Sequence, residues 1–137
     1  DETIDTGDLI RVKRFKIDPK KETALTLERK SQKYLMELFK EVIDLFIEGK
    51  DIKRIPQVEG RYISKDYYES MKEINLNEED AELINRKIRA FWFPPYDGAY
   101  IRVGNEKFTL INREILEEIA VLYSNKKIIR KDKKWIL

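Results

Sequence analysis

The chain has 137 residues, which is the length of one ordinary domain and enough to bury a core. Hydrophobic residues make up 42% and charged residues 39%, so the composition predicts a globular protein with a highly charged surface. Twenty-eight basic and 26 acidic residues leave a net charge of +2, which argues against a dedicated nucleic-acid or membrane-surface binder. The sequence contains no cysteine and no histidine, which excludes disulfides, thiolate metal sites and histidine-based catalysis by residues of this chain.

Two further features bear on location and on completeness. No apolar run approaches the roughly 20 residues of a membrane span, and no signal-peptide pattern is present, so we expect a cytoplasmic protein. Residue 1 is aspartate rather than methionine. We interpret this as the sign of a piece of a longer protein.

The first two predicted elements are a strand and a long helix. Residues 9–17 are rich in apolar side chains and are predicted as a strand, with a bulge or a sheet edge where Lys13 and Arg14 interrupt the alternation. Residues 21–47 carry apolar side chains at three- and four-residue steps, which predicts a long amphipathic helix that ends at Gly49.

The rest of the chain is predicted as short elements separated by turn residues. They are a linker over 52–62, a short helix capped by Ser64, a helix beginning at Asn77 and ending before Pro94, strands at 99–103 and 107–111 around the three-residue loop 104–106, a helix over 113–123, and a short basic hairpin or frayed tail over 126–137.

The order of these elements favours an α/β fold class, or α+β if the fragment is taken in isolation. A lone strand followed by a long helix is typical of the end of a parallel sheet, and such a unit cannot cover both sheet faces. The pattern therefore suggests an incomplete domain: the end of a parallel sheet with a long amphipathic helix, then helices and a C-terminal β-hairpin.

Two carboxylates flank a Thr-Gly pair directly before the first predicted strand. Asp5 and Asp8 there have two interpretations. One is a tight turn that leads into the strand. The other is a carboxylate held on a stiff turn, where it orients a reactant or moves a proton.

A second constellation places five aromatic residues and two prolines within residues 88–101. Core packing is the ordinary interpretation for Phe91. For Trp92, Phe93 and Tyr96, burial against a ligand or a second subunit is equally compatible with the pattern. The basic tail with Trp135 suits either phosphate contact or a solvated hairpin. No glycine-rich phosphate loop, nucleophile elbow or acidic metal cluster is present in the sequence.

Two segments resemble the family of formyltransferases that use 10-formyltetrahydrofolate. The first is residues 4–10, Ile-Asp-Thr-Gly-Asp-Leu-Ile, followed by a strand, the pair Glu22-Thr23 and a long helix. The second is Ile-Arg-Ala at 88–90 with Pro-Tyr-x-Gly-Ala at 95–99 and Val-Gly-Asn-x-Lys-Phe-Thr-Leu at 103–110. The two matches follow the family's order, and together they span most of residues 1–112.

The resemblance implies which residues act. Asp5 corresponds to the catalytic aspartate, and the backbone of Glu2, Thr3 and Ile4 is expected along the pterin of the cofactor, 10-formyltetrahydrofolate. Asp8 is expected to be structural. The family's catalytic Asn and His come from an earlier segment, so the resemblance implies a C-terminal half that is inactive alone and partners the missing N-terminal half. By the same resemblance, 1–58 ends the catalytic domain, 59–98 is a helical linker region, and 99–137 is a hairpin and tail.

The resemblance also bears on the substrate. Residues 112–137, 26 in number, are too few for the β-barrel domain of the tRNA enzymes, and the net charge of +2 gives no tRNA footprint. We therefore expect an amino-sugar nucleotide substrate, used for a bacterial surface polysaccharide, and a homodimer joined by the hairpin. The expected substrate or dimer contacts are Trp92, Tyr96, Tyr100 and Phe108, with Ile101 and Leu110 if the hairpin pairs across subunits. No metal is expected.

Other interpretations stay open at this point. The hairpin could pack only on its own domain. The chain could be a methionyl-tRNA formyltransferase fragment, a non-catalytic dimerisation or binding module, or an unrelated α+β domain with a chance match. Each alternative has its own discriminating feature. The missing histidine favours the binding module, and further barrel strands or a basic face would favour the tRNA enzyme. The placement of Asp5 on an outer corner rather than at a pocket would favour a chance match.

Overall fold

The structure is a computed structural model, and it describes residues 7–57, 60–123, 129–131 and 134–136. The elements, in chain order, are α1 (Ala24–Ile47), α2 (Lys65–Met71), α3 (Ala81–Ala90), β1 (Tyr100–Val103), β2 (Glu106–Thr109), α4 (Arg113–Tyr123), β3 (Ile129–Lys131) and β4 (Lys134–Ile136). The chain divides into two compact units, Asp1–Met71 and Lys72–Leu137, which are described separately.

Helix α1 dominates the first unit, and local capping sets both of its ends. Thr23 is the N-cap: its side chain accepts from the N–H of Thr26, and the Thr26 hydroxyl accepts from the N–H of Thr23. This reciprocal pair starts the helix at Ala24 rather than at the predicted residue 21. At the other end Gly49 has φ +64°, and the N–H groups of Gly49 and Lys50 return to the carbonyls of Phe46 and Leu45. This is the glycine-terminated C-cap that the sequence predicts.

The strand predicted over residues 9–17 is wrong. Only Leu9 takes part in β pairing, in an isolated antiparallel bridge with Ile55 that has two N–H···O distances of 2.8 Å. A strand requires a hydrogen-bonded neighbour along its length, and within the described part of the chain residues 10–17 have none. The predicted end of a parallel sheet is therefore not confirmed, although the mixture of helices and two-stranded antiparallel sheets is consistent with an α/β fragment.

Helix α2 lies where the sequence places it. Ser64 precedes the helix, and its hydroxyl accepts from the N–H of Tyr67 at 3.2 Å. The helix that follows, α3, begins at Ala81 and not at Asn77, because Asp80 is the residue that caps it: the Asp80 carboxylate accepts from the N–H of Leu83 at 2.7 Å. Residues 75–79 form a turn whose N–H groups at 78 and 79 bond the carbonyl of Asn75.

Strands β1 and β2 form an antiparallel hairpin that pairs Val103 with Glu106. The loop therefore contains two residues, Gly104 and Asn105, rather than the predicted three. Gly104 has φ +59°, a conformation that two-residue hairpin turns require. On its other edge β1 contacts residues 72–74, where Tyr100 donates to the carbonyl of Lys72 and accepts from Ile74.

The core of the second unit is small. Four buried side chains form it, namely Ile74, Ile88, Ala99 and Ile115. Ile74 lies in the stretch beside β1, Ile88 in α3, Ala99 directly before β1 and Ile115 in α4, so the core ties together the elements around the hairpin. Helix α4 has the predicted bounds, and β3 pairs with β4 as the predicted basic hairpin.

Candidate functional site

The predicted catalytic turn lies outside the described residues. Asp5 and the predicted cofactor-binding residues Glu2, Thr3 and Ile4 all belong to the undescribed stretch 1–6. Gly7 is the first residue that the structure describes, and Asp8 is exposed. The bridge between Leu9 and Ile55 then fixes the chain that follows the turn.

A hollow of about 550 Å³ lies directly beside this start of the described chain. It is lined by Asp8, Ile10, Phe46, Gly49, Lys50, Asp51, Ile52 and Arg54. Its volume is in the range of small-molecule sites. Phe46 and two isoleucines supply apolar surface, and Lys50 and Arg54 supply positive charge, although Lys50 also pairs with Glu48 at 2.6 Å. Asp8 and Asp51 line the same hollow, so its two acidic and two basic side chains balance, and the composition suits a ligand with an apolar part and mixed polar groups.

A second hollow, of about 490 Å³, lies in the other unit beside β1. Glu73 is at its rim and accepts from the Tyr100 hydroxyl at 3.1 Å and from the Arg102 guanidinium at 3.4 and 3.5 Å. The hydrogen bond from Arg102, followed by that from Tyr100, holds the pKa of Glu73 below its usual value. Lys107 lies 4.4 Å from the centre of the Tyr100 ring. In this cluster the hydroxyl of Tyr100 and the carboxylate of Glu73 are already hydrogen-bonded to each other.

The four predicted aromatic contacts separate into two pairs. Tyr100 is 6% exposed and Trp92 is partly buried against the core, so less of these two side chains is left for a substrate or a second subunit. Tyr96 is 70% exposed and stacks on Phe93, with ring centres 5.9 Å apart, and Phe108 is 51% exposed. The indole N–H of Trp92 is buried and has no acceptor among the described residues. Tyr96 and Phe108 therefore remain the accessible members of the set.

The second segment of the family resemblance, within 88–110, proves to be a packing motif. Ile88 and Ala99 are core residues. A Cβ at Gly98 would lie 3.3 Å from the side chain of Thr109, so glycine allows the chain to approach β2 closely. Leu110 packs on the same core and donates its N–H to Ala99. These residues hold the hairpin on α3, and no sequence signal distinguishes that role from binding.

The described residues contain neither a metal-binding cluster nor a membrane-spanning helix. No group of acidic side chains in them could hold a metal ion. None of the helices described has the length and apolar character needed to cross a membrane.

Comparison with known proteins is informative at the level of solved structures. No protein-family model matches the chain, and no curated protein matches it. Among solved structures, it is similar to a 4-N formyltransferase from Francisella tularensis, with 32% sequence identity and a TM-score of 0.69. The match covers 82% of this chain and 47% of the other, so the chain spans about half the length of that relative. Identity and fold together support the formyltransferase family for this chain.

Proposed function

We propose that this chain supplies the C-terminal half of an N-formyltransferase that transfers a formyl group from 10-formyltetrahydrofolate to an amino-sugar nucleotide. The observation that carries the proposal is the 32% identity to a 4-N formyltransferase over 82% of the chain. The sequence Asp5-Thr6-Gly7-Asp8 adds to it, because it resembles the family's catalytic element and lies outside the packing motif of the second unit.

The reaction would join an amine nitrogen to the formyl carbon, break the bond from that carbon to N10 of the folate, and pass one proton from the amine to N10, so that tetrahydrofolate leaves. The cofactor supplies the formyl group. Asp5 orients the histidine of the missing half and helps to take up the proton from the attacking amine. The backbone of Glu2, Thr3 and Ile4 would lie along the pterin, as the family resemblance implies. Because this chain contains no histidine, it is inactive alone.

The hollow beside Asp8 supports this arrangement. Asp8, which lines the hollow, comes shortly after residues 1–6 in the sequence. The ring of Phe46 and the side chains of Lys50 and Arg54 also line the hollow. A flat ring system that carries an anionic tail is the chemistry of a folate, and an aromatic wall with nearby cations suits such a molecule. Phe46, Lys50 and Arg54 therefore fit the proposed cofactor, whereas the two carboxylates of the lining, Asp8 and Asp51, oppose its anionic tail.

The hairpin supports a homodimer as part of the same proposal. Tyr100 exchanges hydrogen bonds with residues 72–74, and by the alternation of an antiparallel pair Arg102 presents its N–H and C=O on that same edge. Phe108 and Val103 are more than half exposed on one hairpin face. An open strand edge beside exposed apolar side chains is a surface that a second hairpin can cover.

The test is a substrate comparison with the complete enzyme that includes residues 1–137. Formyl transfer from 10-formyltetrahydrofolate is measured with a 4-amino-deoxysugar nucleotide, a 3-amino-deoxysugar nucleotide and methionyl-tRNA. We expect transfer to one of the two sugars and none to the tRNA. Transfer to tRNA alone would replace the substrate class, and transfer to none of the three would overturn the proposal.

A further inference from the structure

The chain shortly after Asp5 is tied to the rest of the first unit through Leu9. Within the described part of the chain, Leu9 is the one member of residues 8–17 that forms main-chain hydrogen bonds. Its N–H donates to the carbonyl of Ile55, and its carbonyl accepts from the N–H of Ile55, each at 2.8 Å. Both side chains are more than a third exposed, so burial adds little and the two hydrogen bonds are the main link between these residues.

The sequence around Ile55 explains why the chain pairs at this point. Pro56 follows Ile55, and a proline disfavours the helical conformation of the residue before it, so Ile55 favours the extended conformation that β pairing requires. Residues 50–55, which we call the connector, leave α1 through the Gly49 cap, where the N–H of Lys50 bonds a carbonyl of the last helical turn at 3.0 Å. The connector is therefore fixed at the helix end and again at the bridge.

The bridge also joins two sides of the hollow in this unit. Asp8 and Ile10, the neighbours of Leu9, line the hollow on one side of the bridge. Arg54, the neighbour of Ile55, lines it on the other side, together with three further residues of the connector. The two hydrogen bonds therefore set the position of the chain near Leu9 relative to the hollow.

The length of the chain shows how closely the bridge restricts Asp5. Asp5 lies four residues before Leu9, and four residues span at most about 14 Å. After Leu9, the next side chain bonded to α1 is that of Lys13, which pairs with Glu37 and Glu41 at 2.9 Å. It lies eight residues after Asp5, a reach of about 28 Å. By chain length alone, loss of the bridge would enlarge the volume open to Asp5 roughly eightfold, since volume grows as the cube of the reach.

We propose that Ile55 is a positioning residue for Asp5, and that its main-chain hydrogen bonds with Leu9 fix Asp5 relative to the hollow. This inference rests on the proposed function, which gives Asp5 its catalytic role. A carboxylate that orients a reactant must lie within hydrogen-bond distance of it, and a displacement of about 1 Å can cost about 100-fold in rate. Ile55 acts through its main chain, so the identity of its side chain matters little.

The test uses Ile55→Pro in the complete enzyme, because proline removes the N–H that bonds Leu9 and leaves the amide of Leu9 as a reporter. We expect hydrogen exchange at the Leu9 amide to rise about fivefold or more, the effect of one lost hydrogen bond, and turnover to fall about 10- to 100-fold. The matched control is Lys53→Pro, in the same connector, at a residue that makes no main-chain hydrogen bond within the described chain and does not line the hollow. Lys53→Pro and the conservative variant Ile55→Val, which keeps the N–H, should have much smaller effects on both.

A double variant shows whether Ile55 acts through Asp5. If it does, Ile55→Pro lowers the turnover of the wild type but has little effect in an Asp5→Asn background, whereas a general loss of stability lowers both by the same factor. Equal factors, or an Ile55→Pro enzyme as active as Lys53→Pro, would overturn this inference and leave the proposed function standing. A complete wild-type enzyme that transfers no formyl group would overturn the proposed function and, with it, the role given to Ile55.

Discussion

A part-buried ion pair in the second unit joins Lys87 to Glu79. The Lys87 ammonium donates to Glu79 Oε1 at 2.6 Å and to the main-chain carbonyl of Glu73 at 2.7 Å. The side chains are only 21% and 13% exposed, respectively, and Glu79 Oε2 is buried with no partner among the described residues. Removal of the ammonium would leave a part-buried carboxylate without its cation. We therefore predict that Lys87→Met lowers the free energy of unfolding of this unit by about 3 kcal/mol, the low end for a broken buried pair because both groups keep some exposure.

The pH dependence follows from the pKa of Glu79. Burial raises this pKa, but the hydrogen bonds from Lys87 and from the N–H of Asn75 together lower it by more than burial raises it. The pKa of Glu79 is therefore below the usual 4.5. A carboxyl whose pKa falls on folding adds stability above its unfolded pKa, and that stability is lost as the pH drops through the folded pKa. The effect of Lys87→Met should therefore be largest at neutral pH and should shrink as the pH falls below about 4.

The assay is urea unfolding followed by Trp92 fluorescence, in a Trp135→Phe background so that one tryptophan reports. Trp92 packs on the core of this unit and senses its unfolding. The control is Arg86→Met, which removes an exposed i,i+4 pair with Glu82 on the same helix and should have little effect. If Lys87→Met costs no more than Arg86→Met, the reasoning about the buried pair is refuted.

Three further predictions concern the core, a cap and a surface aromatic. Ile115→Ala, at a 1% exposed core position, should cost about 3 kcal/mol in urea unfolding, whereas Leu116→Ala beside it should cost less than about 1; equal costs would contradict the assigned core. Gly49→Ala, at φ +64°, should cost about 1 kcal/mol in thermal unfolding followed by circular dichroism, and Gly60→Ala should cost less; no difference would contradict the cap. In the complete enzyme Tyr96→Ala should weaken substrate binding or dimerisation by about tenfold, and unchanged values for both would remove Tyr96 from the site.

The elements that could be predicted from the sequence are those that local signals determine. The bounds of α4 and the glycine-terminated end of α1 follow from apolar spacing and from a residue that tolerates positive φ. The start of α3 was misplaced because Asn77 and Asp80 are both good caps, and only the structure shows that Asp80 bonds Leu83. The strand predicted over 9–17 is wrong because an apolar pattern alone does not supply the neighbouring strand with which a strand must pair.

The candidate site was less predictable. The residue types do not indicate that Tyr100 is buried and bonds Glu73, whereas Phe108 on the paired strand is exposed. The hollow beside Asp8 joins the end of α1 to the chain near Leu9, a juxtaposition that no local pattern encodes. The contact of Glu73 with β1 was not predicted, because no residue pattern near Glu73 in the sequence indicates it. The prediction for Asp5 stays a prediction, since it lies among residues 1–6.

The most direct test of the formyltransferase assignment is the turnover of Asp5→Asn in the complete enzyme, measured as formyl transfer to the amino-sugar nucleotide. Asparagine keeps the size of aspartate but cannot accept the proton, so turnover should fall about 10²- to 10⁴-fold while thermal stability stays unchanged. The matched control is Asp44→Asn, at an exposed position of α1 that lines neither hollow, which should retain most of the turnover. An Asp5→Asn enzyme as active as the wild type would contradict the catalytic role of this turn.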